Sequence, residues 1–89
     1  VAELRVVVQS VIAARPKRYL MLNAHDDELP AVLALLPGLD APTVLPLARA
    51  GMHAVHAVVD AADVVRLLEP LKRAGATGIL VLPIEHLIP

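Results

Sequence analysis

Pro37-Gly38-Leu39-Asp40-Ala41-Pro42-Thr43-Val44-Leu45-Pro46-Leu47 is the stretch from which the rest of this 89-residue chain is best read. Proline breaks a helical ladder and glycine accepts φ > 0, so Pro37-Gly38 stops the apolar, helix-like run before it. Pro42 and Pro46 hold the residues that precede them extended, and β-branched Thr43 and Val44 lie between them. The outcome is a short strand carrying one hydroxyl at the mouth of a tightly constrained loop. That pattern fits ligand recognition better than catalysis. A helix-to-strand connection without any ligand is the plainer reading of the same residues.

Working outward, residues 1–14 place Leu4, Val7, Val8, Val11 and Ile12 at helical spacing. This predicts an amphipathic helix ending before Pro16, although the run Val6-Val7-Val8 also suits a strand. Arg15, Lys17 and Arg18 form a solvated positive corner behind it, favourable for a helix C-terminus. Arg18 to Ala24 reads as a strand apolar on both faces. His25-Asp26-Asp27-Glu28 opens a helix to about Leu36. Asp27 as N-cap would set Pro30 at the third helical position, where no intrahelical bond is lost.

Beyond the central stretch, Thr43 to Leu47 is a second strand and Arg49-Ala50-Gly51 a hairpin turn. Met52 to Val59 is a third strand. Asp60, with Asp63 three residues on, caps a helix striped by Val64, Leu67, Leu68 and Leu71 and closed by Gly75. Pro70 lies inside that helix and is expected to kink it near Leu67. Gly78 to Leu82 is a last apolar strand, and Ile84 to Leu87 a short helical turn. The order strand, helix, strand, strand, helix, strand predicts an α+β, ferredoxin-like fold: an antiparallel four-stranded sheet, two helices on one face, and a leading helix.

Composition narrows the function classes. The chain is 57% hydrophobic with a mean hydropathy of +0.68, yet no apolar run approaches the ~18 residues of a membrane span. Leu20-Met21-Leu22 and Ile79-Leu80-Val81-Leu82 are apolar on both sides of a strand, whereas a half-wet sheet alternates. Two helices cover only one sheet face, so the other is expected to meet another subunit or domain. A net charge of −1 gives no field for nucleic acid or an anionic membrane, and Tyr19 alone offers no stacking platform. Zero cysteines exclude disulfides, thiol catalysis and cysteine-bound zinc, and fit a cytoplasmic protein. The chain shows no signal-peptide pattern and starts without Met inside a helical pattern, which suggests a piece of a longer protein.

No self-contained active site emerges. His53 and His56 are an odd number apart on a strand, which sends them to opposite faces and argues against zinc. A metal site from His25 and Asp26 is the sharper alternative to simple dipole partners of the helix beside them. Ser10, the sole serine, has no base near it in sequence, and the four glycines make no phosphate loop. No catalytic residue and no metal ligand is assigned.

Tyr19-Leu20-Met21-Leu22-Asn23-Ala24, Leu35-Leu36-Pro37-Gly38-Leu39, Pro42-Thr43-Val44-Leu45-Pro46-Leu47 and Gly75-Ala76-Thr77-Gly78-Ile79-Leu80-Val81-Leu82-Pro83-Ile84-Glu85 stand in order along the chain. Together they resemble the C-terminal regulatory domain of long-form ATP phosphoribosyltransferase, the first enzyme of histidine biosynthesis. The resemblance implies a connector helix over 1–15, from a catalytic region absent here, and a regulatory domain over 16–89. It implies a domain that binds L-histidine for feedback inhibition and packs as a trimer of regulatory domains within a hexamer. By itself such a domain is no enzyme and carries no cofactor; Mg²⁺ belongs to the catalytic region of the parent enzyme. Leu39 and Thr43 match the ligand loop, Val58 an apolar wall and Gly78 a backbone contact. Asn23 and His25 stand near the strand end where some relatives carry an acid. A zwitterionic amino acid needs acceptors for its ammonium and N–H donors for its carboxylate. Thr43 and the Leu39 carbonyl suit the first need, and the Gly78 backbone the second. A structural oligomerisation module without a ligand is the alternative.

Overall fold

Lys17–His25 and Met52–Asp60, strands β1 and β3, pair antiparallel over nine residues each, from Lys17↔Asp60 to His25↔Met52. The computed structural model describes residues 2–36 and 42–88. Within them the order is α1 (Ala2–Ala14), β1, α2 (Leu29–Leu35), β2 (Thr43–Pro46), β3, a 3-10 turn (Ala61–Asp63), α3 (Val64–Arg73) and β4 (Thr77–Pro83). The sheet runs β2-β3-β1-β4, antiparallel throughout, with β2 and β4 at its edges. This is the ferredoxin-like arrangement expected from the order of elements. The Pro37-Gly38 stop and Leu39 lie outside the described residues.

Strand parity decides the core. Leu20, Leu22 and Ala24 of β1 and Val55, Ala57 and Val59 of β3 all point to one face, as period-two alternation requires. There they meet Val32 of α2 and Leu67 and Leu71 of α3, forming one buried cluster with Leu36 and Ala76. Ala76 completes a Schellman end to α3: its N–H donates to the Leu71 carbonyl and the Gly75 N–H to Lys72. Gly75 has φ +105°, and a Cβ there would overlap the Glu28 carboxylate. The Glu28 side chain also accepts from the His25 N–H at 3.1 Å. The Glu28 carboxylate thus bonds to the end of β1 and occupies the space left by the missing side chain of Gly75.

Several local expectations are corrected. The N-cap of α2 is Glu28, not Asp27, so Pro30 falls at the second helical position, where its missing N–H is still no loss. Asp60 and Asp63 make no side-chain cap. Asp60 instead pairs with Lys17 across the β1–β3 ladder, and Asp63 accepts from Arg66 at 2.6 Å. Helix α3 extends from Val64 to Arg73 with Pro70 inside it, as expected, and the carbonyl left without a helical donor is that of exposed Arg66. Residues 84–88 form no helical turn. The apolar stripe of α1 does not face the domain: Leu4, Val7, Val8 and Ile12 are exposed, whereas Ser10 and Ala14 are buried.

Leu71 is fully buried between α3 and the sheet, so Leu71→Ala is expected to cost about 2–5 kcal/mol of unfolding free energy. Val65, on the outer face of the same helix and 83% exposed, should tolerate alanine within about 0.5 kcal/mol. Urea unfolding of both variants checks the assignment of the helix faces.

Candidate functional site

The even-handed apolarity of β1 and β4 leaves a second face that no helix covers. Cross-strand partners share a face, so the register lays it out. Tyr19 stands beside Val58 and Leu82, Met21 beside His56 and Leu80, and Asn23 beside Ala54 and Thr77. At the β2 edge Thr43 is opposite His56 and Leu45 opposite Ala54. Leu80, Leu45 and Leu82 are 55%, 50% and 42% exposed on this face, an unusual load of bare leucine for one small sheet.

One polar pair sits amid these residues. Tyr19 Oη and His56 Nδ1 are 2.9 Å apart, with the rings edge-on at 5.6 Å between centroids. A phenol hydroxyl donating to Nδ1 leaves the imidazole proton on Nε2, the second donor of the pair. His53 points to the other face, as the odd spacing requires. Its buried Nδ1 lies 3.1 Å from Asp26 Oδ1, off the direction of a hydrogen bond and with no other partner among the described residues.

The residues expected to bind ligand fall into two groups. Asn23 and Gly78 are together: β4 carries one extra residue between the Met21↔Leu80 and Asn23↔Thr77 pairs, a bulge of the kind glycine permits. Gly78 there has φ +57°, and a Cβ on it would stand 3.3 Å from the Asn23 side-chain nitrogen. Thr43 is exposed on β2, at the opposite side of the sheet. From it to Asn23 is two strand spacings across and two residues along, roughly 12 Å or about four hydrogen-bond lengths. Val58 is half-buried beside Tyr19, and His25 exposed at the strand end beside Met52. Leu39 is outside the described residues. The candidate residues of a single chain therefore stand in two separate groups on one face.

Among the described residues no group of three His, Cys, Asp or Glu stands close enough to hold a metal. Among the same described residues no helix is long and apolar enough to cross a membrane. The Tyr19–His56 pair was not legible in the sequence, because strand alternation gives each residue a side but not its cross-strand partner.

A four-stranded antiparallel sheet with helices on one face, and polar groups among the leucines of the other, defines an α+β domain of the ferredoxin-like class. Comparison with known proteins narrows this. Residues 14–86 match the family described as HisG, C-terminal domain, and the chain belongs to that family. It is 49% identical over 88 residues to an ATP phosphoribosyltransferase of Halobacterium salinarum, covering 99% of this chain and 31% of that protein. To that of Cytophaga hutchinsonii it is 46% identical over 86 residues, covering 97% and 30%. To that of Methanocella arvoryzae it is 47% identical over 89 residues, covering 99% and 31%. The chain thus spans about three-tenths of the length of these relatives.

Gly78→Ala forces a side chain into a left-handed conformation and against Asn23. A loss of about 1–3 kcal/mol is expected. The NMR signals of the Asn23 side-chain amide should shift, while those of Thr43 across the sheet should not.

Proposed function

We propose that this chain is a regulatory domain of an ATP phosphoribosyltransferase, binding L-histidine at a site shared between neighbouring copies so that the pathway's end product inhibits its first enzyme. The observation that carries this reading is the division of the ligand-matching residues. Thr43 lies on one edge strand and Gly78 on the other, both on the uncovered face, with Asn23 beside Gly78 and Val58 between the edges. A contact that sets the β2 edge of one copy near the β4 edge of the next brings the two half-sites together. Such a contact is heterologous, and heterologous contacts close into rings when the rotation permits. This supports a trimer of these domains, in a hexameric parent enzyme.

In this reading the chemistry divides simply. The Thr43 hydroxyl, with the Leu39 carbonyl, accepts from the ligand ammonium, and backbone near Gly78 donates to its carboxylate. Asn23 and His25 offer polar contacts where some relatives have an acid. Catalysis on ATP and phosphoribosyl pyrophosphate, with its Mg²⁺, belongs to a separate region reached through the connector over residues 1–15, to which α1 belongs. The outward stripe Leu4, Val7, Val8 and Ile12 supports that role for α1. The enzyme would work in the cytoplasm. A ligand-free assembly module is the second reading, favoured by Leu80 and Leu82 alone, since bare leucines need a partner but no histidine.

Thr43→Val keeps the strand and the side-chain shape while removing a hydroxyl from a charged group. Such bonds contribute about 1.5–3 kcal/mol, so histidine affinity is expected to fall by about one to two orders of magnitude. At ~100 times its dissociation constant, histidine should stabilise the unsubstituted chain by about 2.7 kcal/mol. Thermal shift reads both quantities. Equal shifts in the two proteins remove Thr43 from the site, and no shift in either leaves the assembly module.

The register puts Leu80, not Val81, on the uncovered face. Leu80→Glu is therefore expected to dissociate the assembly. Sedimentation at high micromolar concentration should give a trimer before the change and a monomer after it; a monomer in both ends the assembly proposal.

A further inference from the structure

Helix α1 begins with no grip on the domain. Every described side chain from Glu3 to Gln9 is exposed, and Ser10 is the first that is buried, at 3% exposure. What buries it is the C-terminal segment. After β4 ends at Pro83, residues 84–88 run without regular structure back across the helix. The Leu87 N–H donates to the Ser10 carbonyl at 2.9 Å. The His86 Nδ1 lies 2.8 Å from Ser10 Oγ, which in turn is 2.7 Å from the Val7 carbonyl. A shallow cleft of about 140 Å³ between Val6 and Gln9 on the helix and Leu87 and Ile88 on the tail marks the seam.

The hydrogen-bond inventory fixes the direction of this network. A carbonyl only accepts, so the single Ser10 proton goes to Val7, and His86 must supply an Nδ1–H to Ser10 Oγ. This disposes of a nucleophilic serine: the hydroxyl is buried, its proton is committed to a carbonyl, and the imidazole beside it is the donor. It also means that two polar bonds, to one residue of the sole serine in the chain, join the tail to the helix from opposite ends of the sequence.

We propose that residues 84–88 are a strap that holds α1 against the domain, with Ser10–His86 as its fastening, and that releasing the strap frees α1 while the sheet stays folded. The strap is built to open locally. Its Glu85, His86 and Ile88 are exposed, and it contributes nothing to the buried cluster under the sheet. Segments with few buried apolar contacts open at low free energy, independently of the core. The position of α1 then depends on the segment that directly follows β4. The proposal does not involve histidine, and its test uses none.

Hydrogen exchange by mass spectrometry on the purified chain tests it with two point variants. His86→Phe keeps a ring on an exposed residue and removes the Nδ1–H. Ser10→Ala removes the acceptor, and alanine is the better helix former, so helix propensity alone predicts slower exchange of α1. The strap predicts the opposite sign. Each variant costs the strap one ordinary hydrogen bond, which should speed α1 exchange roughly three- to tenfold with β1 and β3 amides unchanged. Ser10→Ala also loses the hydroxyl's bond to the Val7 carbonyl, so His86→Phe is the variant that isolates the strap. A chain ending at Pro83 should exchange faster still in α1 alone. Unchanged or slower α1 exchange in either point variant overturns the proposal, as does equal acceleration across the sheet.

Discussion

The antiparallel pairing of β1 with β3 sets the parity of the whole sheet, because a slip of one residue would turn every side chain to the other face. Its register puts Leu20, Leu22 and Ala24 on the same side as Val55, Ala57 and Val59, and both helices follow them. The same register leaves Tyr19, Met21, Asn23, His56 and Val58 on the side that no helix reaches. Core and candidate site are therefore two consequences of one pairing. A change that shifted the ladder would destroy both, whereas a change confined to the open face leaves the core intact.

The glycines and one carboxylate reinforce that frame where strands hand over to helices. Glu28 accepts from the His25 N–H at the end of β1 and lies against Gly75 at the end of α3. The start of α2 is thereby bonded to the sheet and packed closely against the end of α3. On the open side the matching device is the β4 bulge at Gly78, which brings backbone close to the Asn23 amide. Bulges bend the strand and redirect its neighbours, and at a sheet edge they also interrupt a ladder that another chain would extend.

Most of the fold was legible because it is written in local periodicity. Strand and helix types, the hairpin at Gly51, the stop at Gly75 and the opposite orientations of His53 and His56 all follow from alternation or turn chemistry. What escaped depended on partners distant in sequence. Asp60 looked like a cap but is opposite Lys17 in the β1–β3 register and pairs with it. The stripe of α1 looked like its buried face, yet the tail docks on the other side, at Ser10. The family motifs were legible for the same reason as the strands, being short ordered runs, and the family assignment agrees with them. That Thr43 and Gly78 stand on opposite edges follows only from the ferredoxin-like sheet order taken whole, because no single segment carries strand order.

That edge placement bears on how copies would meet under the histidine reading. β2 is flanked by Pro42 and ends at Pro46, and β4 ends at Pro83. Proline donates no ladder hydrogen bond, so neither edge invites a continuous sheet between copies. Contact between the edges must then rest on side chains and on whatever fills the space between them. The exposed leucines 45, 80 and 82 supply apolar area without direction, which favours association but does not select an angle. A small zwitterion held by Thr43 of one copy and the Gly78 backbone of the next would supply direction, since each of its charged ends is read by a fixed group. Association and ligand recognition would then be coupled by geometry: the leucines bring the edges together, and the ligand sets the angle at which they stay.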